Sequence, residues 1–121
     1  MLTRQAIIKA VNEFVKNANE NNLFIERILL FGSYAKSTAH EYSDIDLAVF
    51  SPQFTDNPFE NIKLIQPTKR LPQMQLHLYP SKEYDEDFFV QEIKKHAIDL
   101  TYLCEQLHSE NIKSQHNPVV F

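Results

Sequence analysis

The stretch that decides the fold runs from Ile28 to Phe50 and reads ILLFGSYAKSTAHEYSDIDLAVF. Its first four residues and most of its last six are aliphatic or aromatic, and such runs favour β-strands. Gly32, the only glycine among 121 residues, follows the first run directly. We therefore predict two strands joined through a turn at Gly32. The first strand is apolar on both faces, which predicts a position inside the sheet.

The rest of the chain supplies helices and one more strand. Apolar residues at three- and four-residue spacing predict a helix over Thr3–Asn21 with Thr3 as its N-cap. Polar and apolar residues alternate over Gln73–Tyr79, which predicts a half-exposed strand. The remaining predictions are strands at Phe24–Phe31 and Ile45–Phe50, a helical turn at Tyr34–Ser37, and helices at Phe59–Ile65 and Glu83–Ala97, the last with Phe88, Phe89, Ile93 and Ala97 facing inward. Residues 98–103 fit either a short strand or a continuing helix.

These elements predict an α/β (α+β) domain, in which helices flank a small mixed sheet. The domain is expected over residues 1–104, and a C-terminal tail over residues 105–121. The net charge of −4 lacks the basic surplus of most nucleic-acid-binding proteins. No apolar run is long enough to span a membrane. Because Cys104 is the only cysteine, no internal disulfide can form, and we expect a cytoplasmic protein.

The residues around Gly32 have the chemistry of a phosphate site. A glycine between a strand and a helical turn lets a ligand approach the backbone, and the amides that follow it attract an anion. The Ser33 hydroxyl can donate to a phosphate oxygen. Asp44 and Asp46 lie two residues apart on a predicted strand, so their carboxylates face the same side, with Cα atoms about 6.6 Å apart. Such a pair favours Mg²⁺ bridged to substrate phosphates, and hence phosphoryl or nucleotidyl transfer.

Gly32-Ser33, ten intervening residues and Asp44-x-Asp46 resemble the nucleotidyltransferase signature of the DNA polymerase beta superfamily. The runs Leu30–Lys36 and Ser43–Leu47 are most similar to the prokaryotic minimal nucleotidyltransferases, and residues 88–93 resemble a subgroup of them. The resemblance covers roughly residues 5–102. It implies that Ser33 holds the triphosphate of an NTP and that the two aspartates hold two Mg²⁺ ions. It also implies a third carboxylate, on a later strand, that completes the metal site and helps to deprotonate an acceptor hydroxyl.

The chain departs from that family pattern at two places. Lys36-Ser37 stands where the family usually has Arg-Gly, and lysine keeps the charge without the bidentate fork of arginine. The later strand carries no carboxylate: by spacing to the following helix, Gln75 occupies its position, with His77 on the same face. A neutral amide is a weak metal ligand and cannot act as a base, whereas His77 can accept a proton or bind a metal. Ser43 either caps a turn or helps Gly32, Ser33 and the following amides to bind phosphate.

The resemblance implies a Mg²⁺-dependent enzyme that transfers a nucleoside monophosphate from an NTP, in the first instance ATP, to a hydroxyl acceptor. Family members of this size typically pair with a small helical HEPN-type protein, as the antitoxin of a toxin–antitoxin pair, and modify a tyrosine of that partner. Self-association into a homo-oligomer is the other partnership that we consider. The missing carboxylate motivates an alternative, a catalytically weakened nucleotide- or partner-binding module that neutralises a toxin by binding it. Nucleotidylation of an antibiotic is a third reading, which the short chain disfavours.

Overall fold

The computed structural model of the chain describes residues 1–109. The elements in chain order are α1 (Arg4–Glu20), β1 (Arg27–Phe31), a short 3-10 turn (Gly32–Tyr34), β2 (Ile45–Ser51), α2 (Pro58–Ile65), β3 (Met74–Pro80), α3 (Glu83–Glu86), α4 (Phe88–Ile93), β4 (Ile98–Asp99) and α5 (Tyr102–Ser109). Within the stretch predicted as a tail, α5 continues to Ser109, and residues 110–121 lie outside the described part of the chain.

The four strands form one mixed sheet in the order β3-β2-β1-β4. β2 is antiparallel to β1 and parallel to β3, while the short β4 is antiparallel to β1. β1 is therefore an interior strand, as its apolar faces predicted. The predicted α/β class with a small mixed sheet and flanking helices is confirmed.

The two faces of the sheet pack against different helices because side chains alternate along each strand. One face meets α1 and α5 in the main core, in which Val11, Phe14, Ile28, Leu30 and Leu47 are almost fully buried. The other face meets α4 in a smaller core, made of Leu29, Ala48, Phe50, Val90 and Ile93. Asp46 shares the strand face of Ala48 and Phe50. The candidate site thus lies at the end of the smaller core, beyond α4.

The predicted first helix is confirmed, and its ends follow local rules. The Thr3 hydroxyl caps the helix by accepting a hydrogen bond from the Ala6 amide at 3.1 Å. After the helix, Asn22 adopts a φ of 64°, a left-handed conformation that asparagine tolerates better than most residues. The helix buries one apolar stripe, Ile7, Val11, Phe14, Val15 and Ala18.

The single helix predicted over Glu83–Ala97 is wrong, because the chain breaks it at Asp87. Asp87 has extended backbone angles, and its carboxylate accepts a hydrogen bond from the Val90 amide at 3.0 Å, so it caps a new helix, α4. The break turns Phe88 and Phe89 outward, and they are 80% and 47% exposed instead of buried. Val90 and Ile93 supply the buried contacts of α4. Residues 98–103 form the two-residue β4 and the start of α5.

Two further features of the sequence were Cys104 and the absence of a long apolar run. Cys104 is buried, and desolvation raises the pKa of its thiol to about 12. Such a thiol is unreactive, in keeping with a structural role. None of the helices within residues 1–109 has both the length and the apolar character needed to cross a bilayer.

Candidate functional site

The candidate site begins where β1 ends against the first residues of β2. The antiparallel register places Phe31 opposite Asp46, so the turn that follows β1 lies beside the Asp46 side chain. Gly32 adopts a φ of +75°, which side-chain-bearing residues rarely take. A Cβ on Gly32 would overlap the Asp46 carboxylate, at 3.2 Å from its Cγ. Glycine is therefore required here both by the backbone angle and by the close approach of Asp46.

The turn after Gly32 is closed by its own carbonyl, which accepts hydrogen bonds from the amides of Ala35 and Lys36 at 3.1 Å each. Its one full turn spans Gly32–Tyr34, slightly earlier than predicted. The first amides of a helical turn have no partner within it and can donate to an anion, beside the half-buried Ser33. Lys36 is exposed. Ser37 adopts a φ of 62°, so the position where the family usually has glycine keeps a left-handed backbone here.

Asp44 and Asp46 meet at the start of β2. Asp44 is exposed just before the strand, whereas the Asp46 side chain is 28% exposed. Burial raises the pKa of Asp46 above its ordinary value of 3.8, the imidazole of His77 lowers it, and the charge of Asp44 raises it. The direction of the Asp44 effect is that of repulsion between two like charges. A cation held between them would relieve that repulsion.

β3 brings the third part of the site to the same carboxylate. In the parallel ladder, Gln75 lies opposite Asp46 and His77 lies opposite Ala48. His77 Nε2 is 3.9 Å from Asp46 Oδ1, and the His77 side chain is 41% exposed. β3 presents no acid to the site, in agreement with the sequence. Within residues 1–109, no three or more His, Cys, Asp or Glu side chains converge as a metal site.

Three rings form an aromatic wall beside Asp46. The ring of Phe31 packs edge-on against His77, with centroids 5.0 Å apart, and against Phe89, with centroids 5.9 Å apart. His77 and Phe89 are 6.4 Å apart. Sequence reasoning did not include Phe31 or Phe89 in the site, and no local signal marks them. Phe31 is placed by its register opposite Asp46, and Phe89 by the break at Asp87.

The structure therefore brings together Gly32, Ser33, Asp44, Asp46, Gln75 and His77 at one end of the sheet. Ser43 takes part in a turn, where its hydroxyl accepts a hydrogen bond from the His40 amide at 2.8 Å and its own amide donates to the His40 carbonyl at 3.0 Å. This arrangement favours the turn-capping interpretation of Ser43. Among the hydrogen bonds and ion pairs of residues 1–109, none joins the Lys36 or Ser43 side chain to an aspartate carboxylate.

The donor set fits Mg²⁺ of the substrate-bridging kind. Mg²⁺ in such sites is held by one or two carboxylates, with substrate phosphate oxygens and water completing its shell. Asp44 and Asp46 supply two carboxylates, and the turn at Gly32 and Ser33 supplies a place for phosphate. The chemistry of this donor set, two carboxylates beside a turn with free amides, supports a cation at this place.

Comparisons with known proteins assign most of the chain to one family. Residues 8–113 match the family model described as the nucleotidyltransferase domain. A segment of 46 residues is 41% identical to the protein adenylyltransferase MntA of Shewanella oneidensis, and it covers 38% of this chain and 33% of that protein. The match thus spans about a third of the relative's length.

A solved structure shows the same fold. A Sulfolobus solfataricus protein described as a candidate nucleotidyltransferase superposes with a TM-score of 0.59 at 19% sequence identity, covering 78% of each chain. A weaker match, with a TM-score of 0.47 and 22% identity, is a toxin–antitoxin structure with AMP-PNP, and it covers 84% of this chain and 86% of that one.

Proposed function

Because this chain belongs to the nucleotidyltransferase domain family, we propose that it transfers a nucleoside monophosphate from an NTP to a hydroxyl group of a partner protein. The observation that carries the proposal is the register of β1 and β2, which sets the Gly32-Ser33 turn beside Asp46. On this proposal, the groups that bind phosphate lie beside the carboxylates that hold the metal. The similarity to a protein adenylyltransferase over 46 residues supports ATP as the nucleotide and a protein as the acceptor.

Each part of the site has a role in this proposal. Ser33 and the neighbouring amides bind the β- and γ-phosphates, and Lys36 attracts the triphosphate. Asp44 and Asp46 would hold Mg²⁺, which supplies charge neutralisation at the triphosphate. In the transfer, the acceptor oxygen forms a bond to the α-phosphorus while the bond from that phosphorus to the bridging oxygen breaks. Pyrophosphate leaves, and the hydroxyl proton passes to a base or to water.

The acceptor side of the site is where this chain differs from the family pattern. Gln75 lies opposite Asp46, where a third carboxylate is expected, and an amide does not accept a proton at neutral pH. His77, at 3.9 Å from Asp46, is the remaining side chain on that face that can accept one. The exposed ring of Phe89 extends the aromatic wall toward solvent. We propose that this wall contacts the acceptor.

The biological setting that we propose is a toxin–antitoxin pair, in which this chain is the antitoxin and a small helical HEPN-type protein is the acceptor. The proposal rests on the resemblance to minimal nucleotidyltransferases. A second candidate function follows from Gln75: the chain neutralises a toxin by binding it, without modifying it. The absence of a carboxylate on the site face of β3 is the observation that favours this second candidate.

The two candidates differ in an experiment with labelled nucleotide. The purified chain is incubated with Mg²⁺, each α-³²P-labelled NTP and the product of the neighbouring gene, and label on protein is measured after gel separation. The enzyme transfers label from one NTP, and Asp44→Asn and Asp46→Asn each abolish the transfer. Asp56→Asn, which removes an exposed carboxylate in a loop, is the matched control and leaves transfer unchanged. Tight complex formation without any label on the partner, unaffected by these substitutions, would favour the binding module instead.

A further inference from the structure

A groove runs along α1 on the helical layer, on the opposite side of the sheet from the Asp46 face. It lies between α1 and the segment Lys69–Leu71, with a volume of about 580 Å³. Most of its α1 residues follow the helical pattern i, i+3, i+4, i+7 and so form one stripe, which comprises Ala6, Lys9, Ala10, Glu13, Phe14, Lys16, Asn17 and Glu20. From Ala6 to Glu20 the helix rises about 21 Å. The groove is therefore as long as a helix of about four turns.

The floor of the groove is apolar, and its α1 side chains are small. Ala6 and Ala10 line it from α1, and Leu71 lines it from the facing segment. The distance between two packed helices depends on the side chains at their contact, and small side chains give the shortest distances. A second helix can therefore lie close along α1 and bury an apolar stripe there.

The rim of the groove carries more positive than negative charge. Lys9, Lys16, Lys69 and Arg70 border it, against Glu13 and Glu20, although the chain as a whole is acidic. The facing segment is fixed by hydrogen bonds: the Asn17 side chain accepts from the Lys69 amide at 2.6 Å, and Arg70 donates to the Thr68 carbonyl at 2.9 Å. The facing segment is thus held in place before any partner arrives, and the positive charge of the rim favours complementary acidic groups.

We propose that this groove binds an amphipathic α-helix of a partner protein, whose apolar stripe is bordered by acidic side chains. The length of the groove, its small floor residues and the positive charge of its rim each match such a helix. Binding of this kind is the helix-in-groove mode of recognition. The proposal does not depend on nucleotidyl transfer, because the groove and the Asp46 site lie on different faces of the sheet. One end of the groove nevertheless reaches the site turn, since the Leu2 amide donates to the Tyr34 hydroxyl at 3.0 Å.

Two other occupants fit the groove less well. A symmetric dimer through this groove would set one positive rim against the other, and like charges brought together cost free energy. Single-stranded nucleic acid would meet an apolar floor whose aromatic residue, Phe14, is fully buried and cannot stack on a base, and two glutamates on the rim. Both occupants remain measurable outcomes of the test.

The test uses two synthetic helical peptides of 18 residues, with the same leucine stripe and with either glutamate or lysine on both flanks. Fluorescence anisotropy of the labelled peptides is measured with the whole chain, without NTP or Mg²⁺, so that failure of the proposed transfer does not affect the result. We expect the glutamate peptide to bind at least about tenfold more tightly than the lysine peptide at low salt. Lys9→Glu/Lys16→Glu removes this preference, and Ala10→Arg weakens binding about tenfold by filling the floor.

The control variant Lys82→Glu/Lys95→Glu makes the same change in net charge at exposed positions outside the groove, and it leaves the preference intact. Circular dichroism checks that each variant keeps its helices. If Ala10→Arg fails to fold, the peptide preference of Lys9→Glu/Lys16→Glu still tests the proposal. Equal affinity for the two peptides, or binding unaffected by the groove variants, overturns the proposal. So does tighter binding of a single-stranded oligonucleotide, or a dimer in light scattering that Ala10→Arg or Lys9→Glu/Lys16→Glu dissociates.

Discussion

Gly32 and Asp46 lie against each other across the β1–β2 ladder, with the backbone of one facing the carboxylate of the other. The place where a Cβ on Gly32 would sit is 3.2 Å from Asp46 Cγ and 3.3 Å from Asp46 Cβ. Gly32 also holds a φ of +75°. No larger residue fits at the only glycine of the chain, because the Asp46 side chain, which we propose as a metal ligand, occupies the space that a Cβ would need.

Replacing Gly32 with alanine is expected to destabilise the protein and to displace the Asp46 carboxylate. A left-handed backbone costs a side-chain-bearing residue about 1–3 kcal/mol, and the overlap with Asp46 adds to that cost. We expect Gly32→Ala to lower the free energy of unfolding by about 2 kcal/mol or more in urea denaturation. It also weakens Mg²⁺ binding in calorimetry. Unchanged stability would contradict the account of Gly32.

The opposite change at Ser37 is expected to stabilise the chain. Ser37 has a φ of 62°, and a left-handed backbone costs a non-glycine residue roughly 1–2 kcal/mol. Glycine removes this cost but loses about 0.5–1 kcal/mol in chain entropy. We expect a net gain of about 0.5–1 kcal/mol for Ser37→Gly in urea denaturation. Lys82→Gly, at a φ of −61°, is the matched control and lowers stability; a loss in both variants would refute the strain at Ser37.

The raised pKa of Asp46 predicts how stability depends on pH. Burial makes the folded state hold this proton at higher pH than the unfolded state does, so stability is lost as pH rises above the ordinary value of 3.8. We expect Asp46→Asn to melt at a higher temperature than the parent at pH 7 in EDTA. The difference shrinks as the buffer approaches pH 4. An Asp46→Asn variant that is less stable than the parent at pH 7 would oppose this prediction.

Gln75→Glu places a carboxylate opposite Asp46, where the family resemblance implies the third acid. If the chain transfers nucleotide, general base catalysis at this position raises the rate by about tenfold or more. The readout is the initial rate of label transfer with the partner protein and Mg²⁺. Gln73→Glu adds the same charge two residues earlier, outside β3, and is the control. Equal rates in the parent and both variants would show that position 75 does not limit the reaction.

The sequence predicts those helices and strands whose structure depends mainly on their own residues. The helix over α1 and the strand Ile45–Phe50 follow from periodicity and apolar runs, and they appear as predicted. The strand predicted over Phe24–Phe31 is present but begins three residues later, at Arg27. Gly32, which the motif singled out, lies against Asp46 in the structure. Their individual roles in binding and catalysis stay predictions.

The rest depended on interactions between distant segments. The sequence pattern around Asp87 is that of a continuous helix. The helix breaks there because the Asp87 side chain accepts a hydrogen bond from the Val90 amide and starts a new helix. Phe31 and Phe89 join the site through strand register and that break, which no single segment encodes. The groove along α1 needs Lys69–Leu71 to pack against it, more than 40 residues away from α1 in sequence.

The register of β2 and β3 also has an evolutionary consequence. Glutamine and glutamate have nearly the same shape, and their codons differ only in the first base. A single nucleotide change at codon 75 would therefore exchange an amide for a carboxylate opposite Asp46 without altering the sheet. On the proposed assignment of this position, a lineage can pass between a toxin-modifying and a toxin-binding antitoxin in one mutational step, while the protein fold stays the same.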